Sequence, residues 1–345
     1  MKSRYIVFRS PLHAEFEEED LGQIGPDQIL TCTVRTLIST GTEMTAYEGS
    51  YPESSAWARY AKYPHRPGYS NVGRAMEVGE AVEGIAEGDL IYSWSRHATH
   101  SIISAGEGTR LPDDIEPSAA AYGTLAQIAL NGVRLGRPIL GDLVVVAGLG
   151  PVGQLALQCA KLSGAGSLIA MDLSRKRLDV ALEHGADIAV NPLDRDPVQA
   201  VEEASSGRMA DIVYDVTGNQ EFIPQALRLL KPRGKLVILG SPRGPVEVDF
   251  HNEVHSKGLR IIGAHNSMHA PVETPYNQWT LARDLDLFFS FIRKGRLDVE
   301  GLTSHILPWR EAPKAYEMLH RNREDTVCIS LDWTVDPQEP PHGPP

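Results

Sequence analysis

A glycine-rich turn in the middle of the chain constrains the fold more than any other feature. The apolar run 144–147 leads into the pattern G-x-G-x-x-G formed by Gly148, Gly150 and Gly153, and a helix-forming segment follows at once. In such a turn the first glycine permits a tight bend, the second lets a pyrophosphate approach the backbone, and the third allows close packing of helix on strand. The free N–H groups at the start of the helix suit phosphate. The pattern predicts a dinucleotide-binding βαβ unit.

An acidic residue at the end of the next strand indicates which dinucleotide would bind. The apolar run 167–171 ends at Asp172, about 20 residues beyond the glycines, where a carboxylate binds the ribose hydroxyls. The same carboxylate would repel the 2′-phosphate of NADP. The sequence therefore favours NAD as cofactor. NADP remains an alternative because Arg175 and Arg177, which suit a 2′-phosphate, are close by.

Length and charge narrow the class of protein and partner. The 345 residues are too many for one ordinary domain and about right for two. The net charge of −12 argues against nucleic acid or an anionic membrane surface as the main partner. No apolar run approaches the ~20 residues of a membrane span, and residues 1–8 lack the apolar core and cleavage site of a signal peptide. We therefore expect a cytoplasmic protein with a small-molecule substrate.

The pattern of apolar residues changes twice along the chain. Residues 1–118 contain short strand-like runs between glycine turns, which predicts a small β-barrel. Residues 119–266 alternate strand and helix, which predicts a parallel sheet with right-handed crossovers. Residues 267–335 add helices and a last strand, and the proline-rich tail 336–345 is expected to be mobile. The predicted strands of the parallel sheet are 143–147, 167–171, 188–190, 211–215 and 235–239.

Several short motifs resemble those of the medium-chain dehydrogenase/reductase superfamily. They are Gly41-Thr42-Glu43, Pro67-Gly68-Tyr69, the glycines of 72–79, Gly88-Asp89, the turn 148–153 and Gly234. The resemblance covers nearly the whole chain. It implies an α/β fold with a GroES-like β-barrel catalytic domain, formed by 1–118 and 267–335, and a Rossmann domain with a doubly wound parallel sheet at 119–266. The active site would lie in the cleft between them, and we expect a homodimer or homotetramer.

The chain departs from the zinc-type members of this superfamily at their metal ligands. Those enzymes carry a Cys-Gly-Thr/Ser-Asp motif and a Gly-His-Glu motif. Here Thr40 stands in place of the cysteine, and Tyr69 and Ser70 replace the histidine and the glutamate. The third ligand would fall near 122–124, which contains neither a cysteine nor an acid. Because zinc prefers thiolate, imidazole and carboxylate ligands, we predict a site without zinc.

Two of these strings resemble one branch of the superfamily in particular. Residues 38–43 and 67–73 are similar to those of the bacteriochlorophyllide-a dehydrogenase branch. That branch usually keeps an acid after the tyrosine, where this chain has Ser70. Its substrates are diverse, so the resemblance does not imply a porphyrin substrate for this chain.

Without a metal, a side chain must handle the proton of the reacting hydroxyl. Tyr69 occupies a ligand position, so the resemblance places it in the cleft. It would act as general acid/base or polarise the carbonyl, unless it merely fills the vacated metal site. To act as a base, its pKa of ~10 would need lowering by a nearby cation or by the nicotinamide charge.

Three further residues are candidates for the chemistry. The resemblance assigns Thr42 to a hydrogen bond with the substrate hydroxyl, although the relay histidine that would follow is replaced by Thr45. Glu43 is a candidate base or a structural partner of the backbone or of an arginine. His97 is placed by the resemblance on a strand entering the cleft, and its ordinary pKa suits a base, although a structural role is equally open.

The segment 57–66 combines three aromatic residues with three permanent cations in an acidic protein. Aromatic faces and arginine donors suit sugar rings, aromatic substrates, carboxylates or phosphates. The alternatives are a solvated loop or a subunit contact. The predicted substrate-binding residues are Thr40, Trp57, Arg59, Arg66 and Trp94.

The cofactor-binding residues follow from the glycine turn, from the acid after the second strand and from the resemblance of 263–266 to the nicotinamide-side loop of the family. They are Gly148, Leu149, Gly150, Pro151, Val152, Gly153, Asp172, Arg177, Thr217, Gly240, His265 and Asn266. The sequence thus predicts a zinc-independent, NAD-dependent dehydrogenase of a secondary alcohol such as a sugar, cyclitol or polyol. The alternatives are an NADPH-dependent reductase of an activated C=C bond and a non-catalytic cofactor-binding protein.

Overall fold

The computed structural model describes residues 1–270 and 272–335. The tail 336–345, which is expected to be mobile, lies outside the described residues. The strands are β1 (Lys2–Ser10), β2 (His13–Asp20), β3 (Gln28–Ile38), β4 (Asn71–Val78), β5 (Leu90–Ser93), β6 (His100–Ser104), β7 (Thr109–Arg110), β8 (Leu143–Ala147), β9 (Ser167–Met171), β10 (Ile188–Val190), β11 (Ala210–Asp215), β12 (Leu230–Ile238), β13 (Arg260–Gly263), β14 (His305–Pro308) and β15 (Ile329–Asp332).

The α-helices are mostly connections between these strands. They are α1 (Thr42–Glu48), α2 (Ala56–Tyr60), α3 (Pro117–Ala120), α4 (Gly123–Gly136), α5 (Pro151–Leu162), α6 (Arg175–Glu183), α7 (Pro197–Ala204), α8 (Phe222–Arg228), α9 (Leu281–Arg293) and α10 (Ala312–Arg321). A π-helix at Phe250–His255 precedes β13. In the part of the chain that the structure describes, no helix has the length and apolar character that a membrane crossing requires.

The middle of the chain forms a parallel sheet of six strands in the order β10-β9-β8-β11-β12-β13. Alternate residues of β8 enter two separate apolar cores: Val144 and Val146 pack on one face of the sheet, and Val145 and Ala147 on the other. All four are at most 1% exposed, as expected for a strand covered by helices on both faces. The predicted doubly wound parallel sheet is confirmed.

The strand order places the glycine turn at a functional position. The chain runs from β8 outward to β9 and β10, then crosses to β11 on the other side of β8. In such sheets, ligands bind at the carboxyl ends of the strands where the order reverses. The turn after β8 lies at that point.

The rest of the chain forms a sheet of seven strands, in which β15 pairs with β3, and β3 in turn pairs with β4 and β6. The hairpin of β1 and β2 lies beside it, and Phe8 packs edge-on against Tyr316 of α10 at 4.8 Å between ring centroids. The last strand therefore returns to the first part of the chain, as predicted. The residue limits chosen for the two domains stay a prediction.

A candidate active site between the two sheets

A cleft of about 1390 Å³ lies between the glycine turn and the first part of the chain. Most of the residues predicted to be catalytic, substrate-binding or cofactor-binding line this cleft. They are Thr40, Thr42, Trp57, Tyr69, Trp94, Gly148, Gly150, Pro151, Val152, Gly153, Asp172, Arg177, Thr217, Gly240, His265 and Asn266. The other five do not line it: Glu43, Arg59, Arg66, His97 and Leu149. Leu149 is fully buried and contributes its backbone N–H to the turn.

Each glycine of the turn has the geometry its predicted role requires. Gly148 has a φ of +87°, and a Cβ there would lie 2.7 Å from the backbone carbon of Val216. A Cβ on Gly153 would lie 1.9 Å from the carbonyl oxygen of Gly148, so only glycine allows α5 to begin so close to β8. A Cβ on Gly150 would meet one atom within 4 Å, the Thr40 hydroxyl oxygen at 3.4 Å. The turn therefore faces Thr40 across the cleft.

Asp172 is hydrogen-bonded to the backbone of this turn. Its Oδ2 accepts a hydrogen bond from the Leu149 N–H at 2.6 Å, and its Oδ1 accepts one from the Ser174 N–H at 2.8 Å. Arg177 lies 3.8 Å from Oδ2 but donates to the backbone carbonyls of Arg323 and Thr326, at 2.9 and 2.7 Å. The carboxylate is thus fixed at the cleft, and Nη2 of Arg177 is committed to the backbone.

The loop after β13 supplies the inner end of the cleft. His265 pairs through Nδ1 with the Ser267 hydroxyl at 2.7 Å. Asn266 also lines the cleft, and its Oδ1 is buried without a hydrogen-bond partner among the described residues. This oxygen is therefore available to accept a hydrogen bond from a bound molecule.

Tyr69 lies on the extended segment before β4, opposite the glycine turn. Its backbone carbonyl accepts a hydrogen bond from the Thr124 hydroxyl at 2.7 Å. Burial raises the pKa of the phenol well above its ordinary value, the Glu43 charge raises it further, and Ser39 and Thr42 oppose the shift. A base at this position would need a lowered pKa, and the surrounding residues shift the pKa in the other direction. This environment favours the protonated phenol, and the role of Tyr69 as acid or base stays a prediction.

Glu43 and His97 form a buried pair beside the cleft rather than in it. They are 1% and 0% exposed, and His97 Nε2 lies 3.0 Å from Glu43 Oε2. The same carboxylate accepts hydrogen bonds from the Ser39 N–H at 2.9 Å and the Tyr316 hydroxyl at 2.6 Å. His97 Nδ1 is paired with Thr36 at 2.8 Å. Of the two roles left open for each residue, the structure shows the contacts of the structural one.

The zinc position of the family does not fit a zinc ion in this chain. The residues standing there, Thr40 and Tyr69, line the cleft together with Thr124, and all three offer neutral hydroxyl groups. The Glu43 carboxylate already has three hydrogen-bond partners and is buried. Zinc requires thiolate, imidazole or carboxylate donors, which this wall does not provide. Among the described residues, no group of three or more His, Cys, Asp or Glu is placed to hold a metal ion.

The predicted substrate residues separate into two groups. Trp57 and Trp94 line the cleft with Thr40. Arg59 is exposed, and Arg66 turns away to pair with Glu19 at 2.8 Å. The two arginines expected to bind an anionic substrate therefore do not reach the cleft.

Two arginines that the sequence analysis did not single out do line the cleft. Arg323, just after α10, points toward the Thr40 carbonyl at 3.4 Å, and Arg243, in the loop after β12, lies 3.6 Å from Glu48. Burial lowers the pKa of Arg243, and Arg323 adds to the shift, so the two guanidinium groups are near each other. No local motif marks either residue, because they meet only through the return of the chain to its first sheet.

Comparison with known proteins places this architecture in a family. Residues 151–281 match the family described as zinc-binding dehydrogenases. The L-threonine 3-dehydrogenase of Pyrococcus abyssi is 30% identical, with 92% of this chain and 95% of that protein covered. The D-guloside 3-dehydrogenase of Escherichia coli K12 is 28% identical, with 76% of each covered.

Solved structures share the whole fold. An Escherichia coli oxidoreductase/dehydrogenase of unknown specificity superposes with a TM-score of 0.82 at 18% identity, covering 96% of this chain and 99% of that one. The 2R,3R-butanediol dehydrogenase of Bacillus subtilis superposes with a TM-score of 0.79 at 20% identity, with the same coverage of 96% and 99%. The chain belongs to the medium-chain dehydrogenase/reductase superfamily.

Proposed function

We propose that the protein is a zinc-independent dehydrogenase that interconverts a secondary alcohol and a ketone on a polar substrate, with NAD(H) as cofactor. One observation carries this proposal. The glycine turn, Thr40 and Tyr69 line one cleft, and a Cβ built on Gly150 would lie 3.4 Å from the Thr40 hydroxyl oxygen. A dinucleotide held by the turn would therefore share this cleft with the phenol of Tyr69.

The residues that would hold the cofactor are those that the fold brings to the cleft. The first turn of α5 offers N–H groups without a side-chain cap, which suits the pyrophosphate. Asp172 suits the ribose hydroxyls, and the unpartnered Oδ1 of Asn266 suits the amide of the nicotinamide. When bound, a nicotinamide ring takes up or supplies the hydride of the reaction.

Asp172 supports NAD rather than NADP. Its carboxylate is fixed by two backbone N–H groups and would repel a 2′-phosphate. Arg177 stands nearby, but its Nη2 is engaged with two backbone carbonyls. A phosphate would therefore have to displace existing contacts to use that arginine.

Tyr69 would hold the proton of the reacting oxygen. In the direction of carbonyl reduction, the phenol donates its proton to the oxygen as negative charge develops there. In the direction of oxidation, Tyr69 must first lose this proton to solvent. The proton of the substrate hydroxyl can then pass to the phenolate oxygen. Thr42 lines the same cleft and would hold the substrate hydroxyl.

The substrate side of the cleft suits a polar ring. Tyr51, Trp57, Tyr60 and Trp94 present aromatic surface there. Aromatic faces stack on sugar rings, and Thr40 and Thr42 offer hydroxyl groups. The guloside and threonine dehydrogenases among the relatives are named for polar alcohols, which supports a sugar, cyclitol or polyol as substrate.

The experiment is a calorimetric titration of NAD, NADH, NADP and NADPH on metal-analysed protein, followed by a polyol and glycoside panel. Tight NAD(H) binding, less than 0.1 zinc per chain (roughly the level of a contaminant), and oxidation of a polyol would support the proposal. Preferential NADPH binding with reduction of enones would replace it by a C=C reductase. Zinc at one per chain that is required for turnover would refute it.

We also propose a homodimer formed through the edge of the parallel sheet. Strand β13 pairs with β12 on one side and has no partner strand on the other among the described residues. Ile261 on this strand is 39% exposed. An unpaired edge is a ready site for strand pairing with a second copy. Light scattering would test it, and a monomeric mass at all concentrations would refute it.

A further inference from the structure

A second cavity adjoins the substrate side of the cleft. It has a volume of about 600 Å³, within the range of small-molecule sites. Trp94 lines both cavities. Its indole N–H donates to Gln127 Oε1 at 3.2 Å, while Gln127 Nε2 donates to the Leu281 carbonyl at 2.8 Å. Trp94 therefore lies between the two cavities. The indole N–H is held by its hydrogen bond, while 41% of the residue surface is exposed.

Arg96 adds a charged group to the second cavity. It lines this cavity, two residues after Trp94. A ligand that passes Trp94 into the cavity would therefore meet the guanidinium donors of Arg96.

The charges around the second cavity balance. Two cations, Arg66 and Arg96, are matched by two carboxylates, Glu19 and Glu107, and Arg66 pairs with Glu19 at 2.8 Å. Burial lowers the pKa of His100, which leaves this ring neutral at pH 7. A balanced set of charged hydrogen-bonding groups beside an exposed indole suits a neutral polyhydroxylated ring better than an anion.

We propose that the substrate is a two-ring glycoside. The ring that is oxidised lies in the cleft beside Tyr69, and the second sugar ring passes the face of Trp94 into the second cavity, within reach of Arg96. This inference rests on the proposed function and names its substrate class. It means that a disaccharide should bind better than the methyl glycoside of the same reacting ring.

Gly106 lies at the edge of the second cavity and away from the cleft. It lines that cavity and not the cleft, and a Cβ added there meets no atom within 4 Å. Gly106→Trp therefore adds a bulky side chain beside the cavity without a clash in the backbone, and we expect it to obstruct the cavity. Gly106→Ala is the matched control, because it changes the backbone preference in the same way but leaves the cavity open.

The test is calorimetry on the NADH-bound protein, in which no oxidation occurs. Maltose, cellobiose, lactose and melibiose are each compared with the methyl glycoside of their non-reducing ring. We expect at least one disaccharide to bind about tenfold more tightly than its methyl glycoside. Gly106→Trp should remove this advantage and Gly106→Ala should keep it. Equal affinities throughout, or an advantage that survives Gly106→Trp, would overturn the proposal.

Turnover with NAD separates this inference from the proposed function. Tighter binding of a disaccharide without oxidation of any sugar would refute the dehydrogenase and support the two-ring site. Oxidation of methyl glycosides without any advantage for disaccharides would support the dehydrogenase and overturn the two-ring site.

Discussion

The indole N–H of Trp57 donates a hydrogen bond to the backbone carbonyl of Pro242, 3.1 Å away. Trp57 belongs to α2, in the first part of the chain, and Pro242 follows β12 of the parallel sheet. A second contact lies beside it, since a Cβ on Gly244 would be 3.3 Å from the Pro52 ring. Helix α2 and the loop after β12 therefore form one of several contacts between the two parts of the chain at the cleft.

This contact predicts a specific defect in Trp57→Phe. The variant keeps an aromatic face toward the cleft but loses the donor, and a net hydrogen bond is worth about 1 kcal/mol. We expect the KM of the polar substrate to rise about fivefold, because the cleft is held less firmly. The free energy of unfolding in urea should fall by about 1 kcal/mol, the contribution of the lost hydrogen bond.

Trp279→Phe is the control for Trp57→Phe. Trp279 packs under Arg134, 3.9 Å from the ring centroid, and does not line the cleft. Its replacement should leave KM unchanged. A normal KM in Trp57→Phe would show that the contact with Pro242 does not shape the cleft.

Glu43→Ala should destabilise the protein strongly. Removing the carboxylate leaves the Ser39 N–H, His97 and the Tyr316 hydroxyl without their acceptor in a site that is almost fully buried. Breaking a buried charged network of this kind costs about 3–5 kcal/mol. Urea unfolding followed by circular dichroism measures the effect. A loss below about 1 kcal/mol would mean that the network is solvated in the native protein.

Glu18→Ala is the matched control for Glu43→Ala. Glu18 likewise has a side-chain partner, Arg4 at 2.6 Å, but the two side chains are 42% and 39% exposed. Because exposed ion pairs contribute little, this change should cost less than about 1 kcal/mol. The contrast between the two variants isolates burial from charge pairing.

Much of the parallel sheet could be predicted from the sequence, because β8, β9 and β11 are apolar runs that end at a glycine or an acid. The predicted strands 143–147, 167–171 and 188–190 coincide with β8, β9 and β10. Helix α4 was not predicted. Its start after Tyr122 has no capping side chain and Gly132 lies in its interior, so the usual signals of a helix boundary are absent.

The parts of the site that were not predicted depend on long-range contacts. Tyr316 reaches Glu43 across 273 residues of sequence, and Arg323 meets Thr40 only because β15 returns to β3. The direction in which Arg66 points is set by its pairing with Glu19 of the hairpin. Local spacing carries no signal for any of these contacts, whereas the glycine turn and Asp172 are defined within one βαβ unit.

Asp172→Asn should weaken the preference for NADH over NADPH. The amide oxygen can still accept one backbone hydrogen bond, but the negative charge that repels a 2′-phosphate is gone. A hydrogen bond to a charged group contributes about 1.5–3 kcal/mol. The dissociation constant of NADPH divided by that of NADH should therefore fall at least about tenfold. Calorimetry measures both constants.

The control for Asp172→Asn is Asp194→Asn. Asp194 is an exposed acid that pairs with Arg175 at 3.1 Å and does not line the cleft. Its ratio of dissociation constants should match that of the unmodified protein. An unchanged ratio in Asp172→Asn would show that another residue selects the cofactor.

The raised pKa of Tyr69 predicts different pH profiles for the two directions of the reaction. Reduction needs the phenol, so the kcat for reduction should stay flat up to about pH 10. Oxidation needs the phenolate, so the kcat for oxidation should rise about tenfold per pH unit from about pH 7 to about pH 9.

Tyr69→Phe should lower kcat for reduction about 100-fold and abolish the slope for oxidation, with the dissociation constant of NADH changed less than about twofold. Stopped-flow measurement of the hydride step in both directions tests this. If Tyr60→Phe, and not Tyr69→Phe, removed the pH slope, the proton would be handled by the neighbouring phenol, and the proposed role of Tyr69 would be wrong.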